Sequence, residues 1–303
     1  MRFERQVVAT FGAAAVVSAY LSYIRLEEEY TRRGGLKGTS LIQGPDGLAI
    51  EYALDGGELG PTAPVAVLES GLGAPLESWD WVAGLLSRRF RVLRYHRSGY
   101  WRSKSRLRPA QLVEFLLQQL APQGDVVLCG HSIGALTAMN VAAESAYVRE
   151  RATVLHIVDG TDAVLLGEDR GSKRRVARYN QDTARRLLGS ALGTTRWLTS
   201  PTERELEYRP DIQRAHLASI SSPQVLLAAR QEYLHEPLAG QDFVAAGPLR
   251  RVVISAANNT EQQRKLSERV AADFHVVPAS SHRSIIAKPA LAQQTAAIIL
   301  ENS

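Results

Sequence analysis

Short apolar runs alternate with amphipathic segments along the chain from residue 38 onward. The runs at 63–70, 126–131 and 152–159 are almost continuously apolar and end at glycine or polar turn residues, as buried parallel strands do. The segments between them carry apolar residues at helical spacing. A hairpin is predicted earlier, where two short runs flank Pro45-Asp46-Gly47. The pattern predicts an α/β fold with helices on both faces of a mostly parallel sheet.

This alternation stops near residue 163 and resumes at the apolar strand RRVVISA. The intervening residues, 163–247, have a largely helical composition that is interrupted by prolines. We therefore predict a core of residues 36–162 and 248–303, with a helical cap, or lid, inserted at 163–247.

The N-terminal segment VVATFGAAAVVSAYLSYI, residues 7–24, contains no charged residue. As a helix it would be about 27 Å long, close to the thickness of a membrane's hydrocarbon core. Three interpretations remain open: a single transmembrane anchor, a cleaved signal peptide, or a soluble apolar helix packed on the domain or on a partner. We favour the anchor. The prediction is an N-terminal apolar helix within residues 1–35 and a membrane-associated protein.

Composition narrows the possible functions. The 303 residues are 45% hydrophobic and 22% charged, which fits one large folded domain, or one domain with an inserted subdomain. The single cysteine, Cys129, cannot form an internal disulfide, and no Cys/His group has zinc spacing. No glycine-rich nucleotide-binding motif is found in the sequence. We therefore expect neither a metal nor a cofactor.

Positive charge is concentrated in one stretch. The net charge is +5, and residues 88–108 contain nine lysines and arginines but no acid. One interpretation is a surface that faces anionic lipid or an acidic ligand. The other is a set of arginines whose partners lie elsewhere in the fold. No nucleic-acid-binding motif accompanies the charge, so we expect no nucleic-acid partner.

The clearest chemical motif is Gly-His-Ser-Ile-Gly, residues 130–134. It follows a predicted buried strand and precedes a predicted helix, which is the context of a nucleophile elbow centred on Ser132. Glycines are needed two positions either side of the serine because the turn is sharp and the neighbouring backbone is close. The helix that begins there points its first amides toward developing negative charge. A serine that simply caps a helix would also explain these residue types.

The chain resembles the α/β-hydrolase fold family over residues 38–301. The matching motifs are LESGLG, RYHRSGYWRS, GHSIG and SSHRSIIAKP. The resemblance implies Ser132 as nucleophile and His282, after the last strand, as general base. It also implies an oxyanion hole formed by the backbone amides of Ile133 and Leu72. A histidine is needed because a serine hydroxyl is a weak nucleophile until an imidazole takes its proton.

The acid of the triad is the open question. Relatives usually place it after the strand RRVVISA, where this chain has Ala-Asn-Asn. Some branches place it one strand earlier, which is Asp159 here, and we choose that residue. Asp162 and Glu261 are the alternatives, and a Ser–His dyad without an acid is the remaining one. Asp159 could equally be a strand-end aspartate satisfied by turn amides.

Two further residues differ from the family's usual Tyr-Asp-Arg-x-Gly-Tyr-Gly-x-Ser motif. His96 stands in place of the aspartate, and Trp101 stands in place of a glycine. Trp101 is therefore a candidate pocket residue, although it could simply pack in the core. These differences and the missing acid support an alternative function, a weak or inactive hydrolase-fold protein that binds a ligand. The favoured function is a serine hydrolase that acts on a small-molecule ester or related acyl compound.

Overall fold

The computed structural model describes residues 38–191 and 206–303, together with Val17 and Leu21. The predicted N-terminal helix and membrane anchor, residues 7–24, therefore lie outside the described residues except at those two positions. Within the part of the chain that is described, no helix has both the length and the apolar character that crossing a membrane requires.

A single eight-stranded sheet forms the centre of the fold, in the order β1-β2-β4-β3-β5-β6-β7-β8. Strands β1 and β2 form the predicted antiparallel hairpin, and β2 also pairs antiparallel with β4. All the other neighbours are parallel. The strands are β1 (Ser40–Gln43), β2 (Ala49–Asp55), β3 (Val65–Glu69), β4 (Arg91–Tyr95), β5 (Val126–His131), β6 (Ala152–Val158), β7 (Arg250–Ala256) and β8 (Asp273–Val277).

Both faces of the sheet are covered, which explains why the central strands are apolar at most positions. Val67 of β3 and Leu128 of β5 point into one hydrophobic cluster, and their neighbours Leu68 and Cys129 point into the other. Successive side chains of a strand alternate between faces, so a strand buried on both sides cannot alternate with polar residues. The predicted fold class, a mostly parallel sheet flanked by helices, is confirmed.

The helices that cover the sheet follow the strands in sequence. Those outside the predicted cap are α1 (Asp80–Leu86), α2 (Pro109–Leu120), α3 (Ile133–Glu144), α4 (Ala146–Arg151), α10 (Thr260–Arg269), α11 (Ser284–Ala287) and α12 (Pro289–Glu301). Between β6 and β7 the described residues form α5 (Ala163–Gly171), α6 (Lys173–Ala191), α7 (Pro210–Ser221), α8 (Pro223–His235) and α9 (Ala239–Ala246).

Helices α6, α7 and α8 lie over the carboxyl end of the sheet, where they help to enclose the candidate active site. The rings of Tyr179 on α6 and Tyr233 on α8 stack with centroids 3.9 Å apart. The segment before α7 contacts the core, since Trp81 Nε1 donates to the Glu207 carbonyl over 3.0 Å. That these helices act as a lid over the site stays a prediction.

Several arginines of the basic stretch have partners elsewhere in the fold. Arg94 pairs with Asp55 on β2 at 2.6 Å, and Arg108 pairs with Glu144 on α3 at 2.6 Å. Arg97 is buried among carboxylates and carbonyl groups. These contacts favour the second interpretation of the charge, because much of it is neutralised within the protein.

Candidate active site

Ser132 lies in the turn between β5 and α3 with φ 57° and ψ −128°, a backbone conformation that non-glycine residues rarely adopt. The flanking glycines permit this turn. A Cβ on Gly130 would lie 2.3 Å from the Gly134 carbonyl oxygen, and a Cβ on Gly134 would lie 2.4 Å from that of Glu69. No rotation of a side chain could relieve these contacts, because both neighbours are backbone atoms. The turn therefore has the geometry of a nucleophile elbow.

His282 lies between β8 and α11, and its imidazole contacts the serine. Nε2 is 3.0 Å from Ser132 Oγ, within hydrogen-bond distance. The other ring nitrogen, Nδ1, is 2.5 Å from Asp159 Oδ2. An aspartate that accepts from Nδ1–H leaves Nε2 free to accept the serine proton. The three side chains thus form a continuous Asp–His–Ser chain of hydrogen bonds.

Asp159 is the residue immediately after β6, with φ 43°. Its carboxylate is buried and accepts from the Ala256 amide over 3.0 Å and from Asn259 Nδ2 over 3.3 Å. Burial raises the pKa of this carboxyl, but the hydrogen bond and charge interaction with His282 and the Ala256 amide outweigh burial and hold the pKa below its usual value. Asp159 is therefore ionised at neutral pH.

The two alternative acids have other partners. Asp162 accepts from the Val164 amide at the start of α5 and pairs with Arg269. Glu261 is exposed on α10 and pairs with Lys265 at 2.8 Å. The structure thus brings the first-choice acid, Asp159, to the histidine and directs the two alternatives elsewhere.

Two backbone amides lie where an oxyanion hole is expected. Ile133 is the first residue of α3, and Leu72 follows Gly71 in the loop after β3. A Cβ on Gly71 would come 3.4 Å from Ser132 Cβ, so this loop lies directly against the serine. Among the described residues neither the Ile133 nor the Leu72 amide has a hydrogen-bond acceptor. Both donors therefore remain available to a ligand oxygen.

His131, the residue before the serine, supports the position of His282. Its Nε2 lies 2.7 Å from the His282 carbonyl oxygen, and a carbonyl can only accept, so Nε2 carries the proton. Burial, together with the nearby charge of His282, lowers the pKa of His131 to about 3, so this imidazole is neutral. No pattern in the sequence assigned this residue a role, since it occupies the variable position of the elbow.

A cavity of about 390 Å³ opens over Ser132 and His282. That volume suits a small organic ligand. Its walls combine the loop after β3 with side chains from the helices above the sheet, among them Tyr179, Thr183, Ser219, Leu226 and Ala229. The described residues thus surround the serine with apolar and hydroxyl-bearing side chains, together with the charged side chains of Asp182, Arg186 and Arg283.

Trp101 is not among the described residues that line this cavity. It packs in a small cluster with Tyr100, Ala215 and Val225, and its Nε1 donates to Ser219 Oγ over 3.2 Å. Of the two interpretations of Trp101, the structure favours packing. Trp101 lies behind the residues that line the cavity, and its hydrogen bond orients Ser219, which does line the cavity.

His96, in the place of the family's usual aspartate, is buried between two carboxylates. Its Nδ1 is 3.0 Å from Glu51 Oε2, and its Nε2 is 3.6 Å from Glu77 Oε2. Burial lowers the pKa of His96, but the contacts with both glutamates outweigh burial and raise it to about 9. The imidazolium therefore compensates two buried negative charges, a role that an aspartate could not fill.

Comparison with known proteins gives a consistent family assignment. Residues 66–292 match the alpha/beta hydrolase family, whereas no curated protein matches the sequence. Among solved structures, an esterase from Thermogutta terrifontis has 20% sequence identity, a TM-score of 0.61, and a match that covers 87% of this chain and 97% of that chain. The enol-lactonase from Burkholderia xenovorans LB400 has 22% identity and a TM-score of 0.60, over 86% of this chain and 100% of that chain.

An esterase from Exiguobacterium antarcticum is similar at 16% identity, with a TM-score of 0.64 over 86% of this chain and 99% of that chain. At such identities these likenesses concern the fold. The family match is broader evidence, because it spans the sheet from β3 to β8 and includes the elbow and the histidine. The chain therefore belongs to the alpha/beta hydrolase family.

Proposed function

We propose that the protein is a serine hydrolase that cleaves a carboxylic ester or a related acyl compound through an acyl-enzyme. The observation that carries the proposal is the chain of hydrogen bonds from Asp159 to His282 at 2.5 Å and from His282 to Ser132 at 3.0 Å. Geometry of this kind allows an imidazole to activate a serine hydroxyl.

In the proposed first half-reaction, Ser132 Oγ attacks the carbonyl carbon of the substrate while His282 Nε2 takes the hydroxyl proton. A C–O bond forms, and the carbonyl oxygen becomes an oxyanion that accepts from the amides of Leu72 and Ile133. The bond to the leaving alcohol then breaks, and His282 returns its proton to the alcohol oxygen. Ser132 is left as an acyl ester.

In the second half-reaction a water molecule replaces the alcohol. His282 takes a proton from this water as its oxygen attacks the acyl carbon, and the same amides hold the second oxyanion. When the bond to Ser132 Oγ breaks, His282 returns the proton to the serine, and the carboxylic acid is released. Asp159 stabilises the imidazolium in both steps without itself being protonated, in agreement with its lowered pKa.

The helices between β6 and β7 are proposed to act as a lid that shapes the acyl site. Support comes from the cavity walls, to which α6, α7 and α8 contribute Thr183, Ser219 and Leu226. A cavity of about 390 Å³ among the described residues is compatible with a small acyl group. The membrane anchor at residues 7–24 stays a separate prediction, on which the proposed chemistry does not depend.

A fluorophosphonate probe tests the proposal directly, because an activated serine displaces fluoride from phosphorus and becomes covalently labelled. We expect the wild type to be labelled and to hydrolyse short p-nitrophenyl esters, whereas Ser132→Ala loses both properties. Thr183→Val is a matched control, since Thr183 lines the same cavity, its hydroxyl donates to the Tyr179 carbonyl of its own helix, and its loss should leave labelling intact. Absence of labelling in the wild type between pH 6 and 9 would contradict the proposal.

Such a result would favour the alternative, a hydrolase-fold protein that binds a ligand without turnover. The alternative drew its support from the missing acid after β7 and from His96. Asp159 lies within hydrogen-bond distance of His282. His96 contacts two glutamates and is not among the described residues that line the cavity, so neither observation argues against catalysis.

A further inference from the structure

The segment that carries the Leu72 amide is held by side chains rather than by a regular backbone ladder. We call this segment, Ser70–Gly73, the oxyanion loop. The Arg97 guanidinium donates to the carbonyl of Ser70 over 2.7 Å and to that of Gly71 over 3.1 Å. These two carbonyls precede Leu72 directly. The orientation of the Leu72 N–H therefore depends on where the Arg97 side chain lies.

Tyr100 holds the other end of the same loop. Its hydroxyl accepts from the Gly73 amide over 3.1 Å and donates to Glu232 Oε2 over 2.5 Å. Burial and the charge of Glu232 raise the pKa of this phenol well above its ordinary value, so it keeps its proton and remains a donor. One hydroxyl thus connects the loop to a carboxylate.

That carboxylate belongs to a different part of the fold. Glu232 lies on α8, and its Oε1 is 2.7 Å from Arg97 Nη2. Both side chains are more than nine-tenths buried, at 7% and 9% exposed. Water cannot compensate such charges, so each depends on its partner for stabilisation. Arg97 contacts two carboxylates. Glu69 Oε2, from strand β3, is 3.3 Å from Arg97 Nη1, and Glu232 belongs to the helices above the sheet.

We propose that Glu232 is a positioning residue. Through Arg97 and Tyr100 it fixes the oxyanion loop, and so links the seating of helix α8 to the oxyanion hole. The inference rests on the proposed serine hydrolase function. Glu232 is not among the described residues that line the cavity, so its effect on turnover is indirect.

The arrangement separates binding from catalysis. Ground-state binding depends on the cavity walls, whereas the Leu72 amide contributes chiefly when the oxyanion forms. A displaced oxyanion loop should therefore lower kcat and leave KM nearly unchanged. A general disturbance of the lid would instead change KM as well, because α8 also contributes Leu226 and Ala229 to the cavity.

The experiment compares Glu232→Gln and Tyr100→Phe with the wild type. Loss of a single oxyanion donor costs about 10²–10³ in kcat, so partial misplacement predicts a fall of at least about tenfold, with KM within about twofold. Affinity for phenylboronic acid, whose serine adduct places an anionic oxygen at the same site, should fall by the same factor. A wild-type kcat, or a change confined to KM, in folded Glu232→Gln would overturn the proposal.

Asp55→Asn is the matched control. Arg94 lies on β4, three positions before Arg97, and its guanidinium is 2.6 Å from the Asp55 carboxylate. The Asp55→Asn change therefore removes the carboxylate partner of a neighbouring arginine without touching Arg97. We expect this variant to keep kcat, KM and boronic acid affinity within about twofold. Because Tyr100→Phe retains the buried ring and changes no charge, it provides the same comparison if Glu232→Gln fails to fold.

Hydrogen exchange of the peptide that covers residues 70–76 gives a readout that does not require activity. We expect faster exchange in Glu232→Gln and Tyr100→Phe than in the wild type or Asp55→Asn, because the Gly73 amide loses its acceptor or that acceptor's anchor. Unchanged exchange in both variants would overturn the positioning role even if the wild type is an active hydrolase. If both variants exchange faster but the wild type shows neither esterase activity nor probe labelling, the proposed function is refuted and the positioning role of Glu232 is retained.

Discussion

His282 Nδ1 lies 2.5 Å from Oδ2 of Asp159, a residue 123 positions earlier in the chain. Asp159 follows β6, whereas the family pattern considered in the sequence analysis would place the acid after β7, the neighbouring strand. Adjacent strands are separated by about 4.8 Å, so an imidazole above the end of the sheet can reach a carboxylate from either position. The Ala-Asn-Asn sequence after β7 is therefore compatible with a complete triad, and Asn259 even donates to Asp159.

Replacement of Asp159 by Asn should abolish most of the activity. The amide cannot stabilise the imidazolium and favours the wrong histidine tautomer, so we expect kcat to fall by about 10⁴, as such a change does in a serine protease. Glu261→Gln is the control and should keep wild-type kcat, because Glu261 is exposed and pairs with Lys265. Steady-state hydrolysis of a p-nitrophenyl ester measures both. Equal losses of kcat in the two variants would contradict the assignment of Asp159 as the acid.

Restoring the family's aspartate at position 96 should destabilise this protein. His96→Asp would place three carboxylates together in the buried space that His96 now shares with Glu51 and Glu77. Removal of one partner from a buried charge pair costs about 3–5 kcal/mol, so the free energy of unfolding should fall by at least that much at pH 6. Urea denaturation provides the measurement.

His96→Asn is the appropriate comparison for that variant, because it removes the positive charge without adding a negative one. We expect His96→Asn to be less destabilised than His96→Asp. The wild type should itself lose stability as the pH rises from about 6.5 toward 9, because the folded-state pKa of His96 lies above that of the unfolded chain. An aspartate variant as stable as the wild type would contradict the charge-compensation argument.

Glu236 should make the protein less stable at neutral than at acidic pH. Burial, followed by the charge of Glu232, raises its pKa to about 7, compared with 4.5 in an ordinary site. A carboxyl with a raised folded-state pKa contributes stability below pH 4.5, and this contribution is lost as the pH rises to about 7. The shift corresponds to about 3 kcal/mol. Glu236→Gln should remove this part of the pH dependence.

Urea unfolding of the wild type and Glu236→Gln at pH 4.5, 6 and 7.5 checks this expectation. The variant should gain stability relative to the wild type as the pH increases. Its amide oxygen can still accept from Asn140 Nδ2, which donates to Glu236 over 2.8 Å, so the packing of α3 is preserved. Parallel stability curves for the two proteins would show that Glu236 titrates normally.

Gly134→Ala should disrupt the elbow. The new Cβ would lie 2.4 Å from the Glu69 carbonyl and 2.5 Å from that of Ser70, so the end of β3 must shift. Overpacking of this kind typically costs about 1–3 kcal/mol. Thermal unfolding together with esterase turnover should show losses in both. In contrast, Gly84→Ala on α1 meets no atom within 4 Å and should stabilise the protein slightly, since alanine favours a helix. Equal effects would contradict the steric explanation.

The fold was predictable because burial on both faces leaves a direct mark on the sequence. Continuous apolar strands such as β5 and β6, separated by amphipathic helices, can be arranged in few ways. The boundaries of the elements do not follow from the same pattern. Between β3 and β4 the chain forms a 3-10 turn at Leu76–Trp79 before α1 begins, because local turn geometry is not encoded in hydrophobic spacing.

Residues that act through long-range contacts could not be assigned from the sequence. Glu69 gave a usable signal, since a carboxylate inside a buried strand needs a partner, but nothing identified that partner as Arg97. Glu232 lies 132 positions from Tyr100, in a helix with no motif of its own. Ser132 and His282 could be identified from the sequence because they belong to short motifs, whereas the choice of Asp159 relied on resemblance to particular branches of the family.

The backbone contacts of Ser132 have a consequence for motion. Its amide donates to the Val158 carbonyl of β6 over 3.2 Å, and its carbonyl accepts from Thr161 over 2.9 Å, so nucleophile and acid are anchored to the same pair of strands. His282 alone stands on a separate segment, tethered through His131. Nucleophile and acid thus form a rigid frame, and thermal displacement within it is expected to concentrate in the imidazole, which takes the proton from Ser132 and passes it to the leaving group.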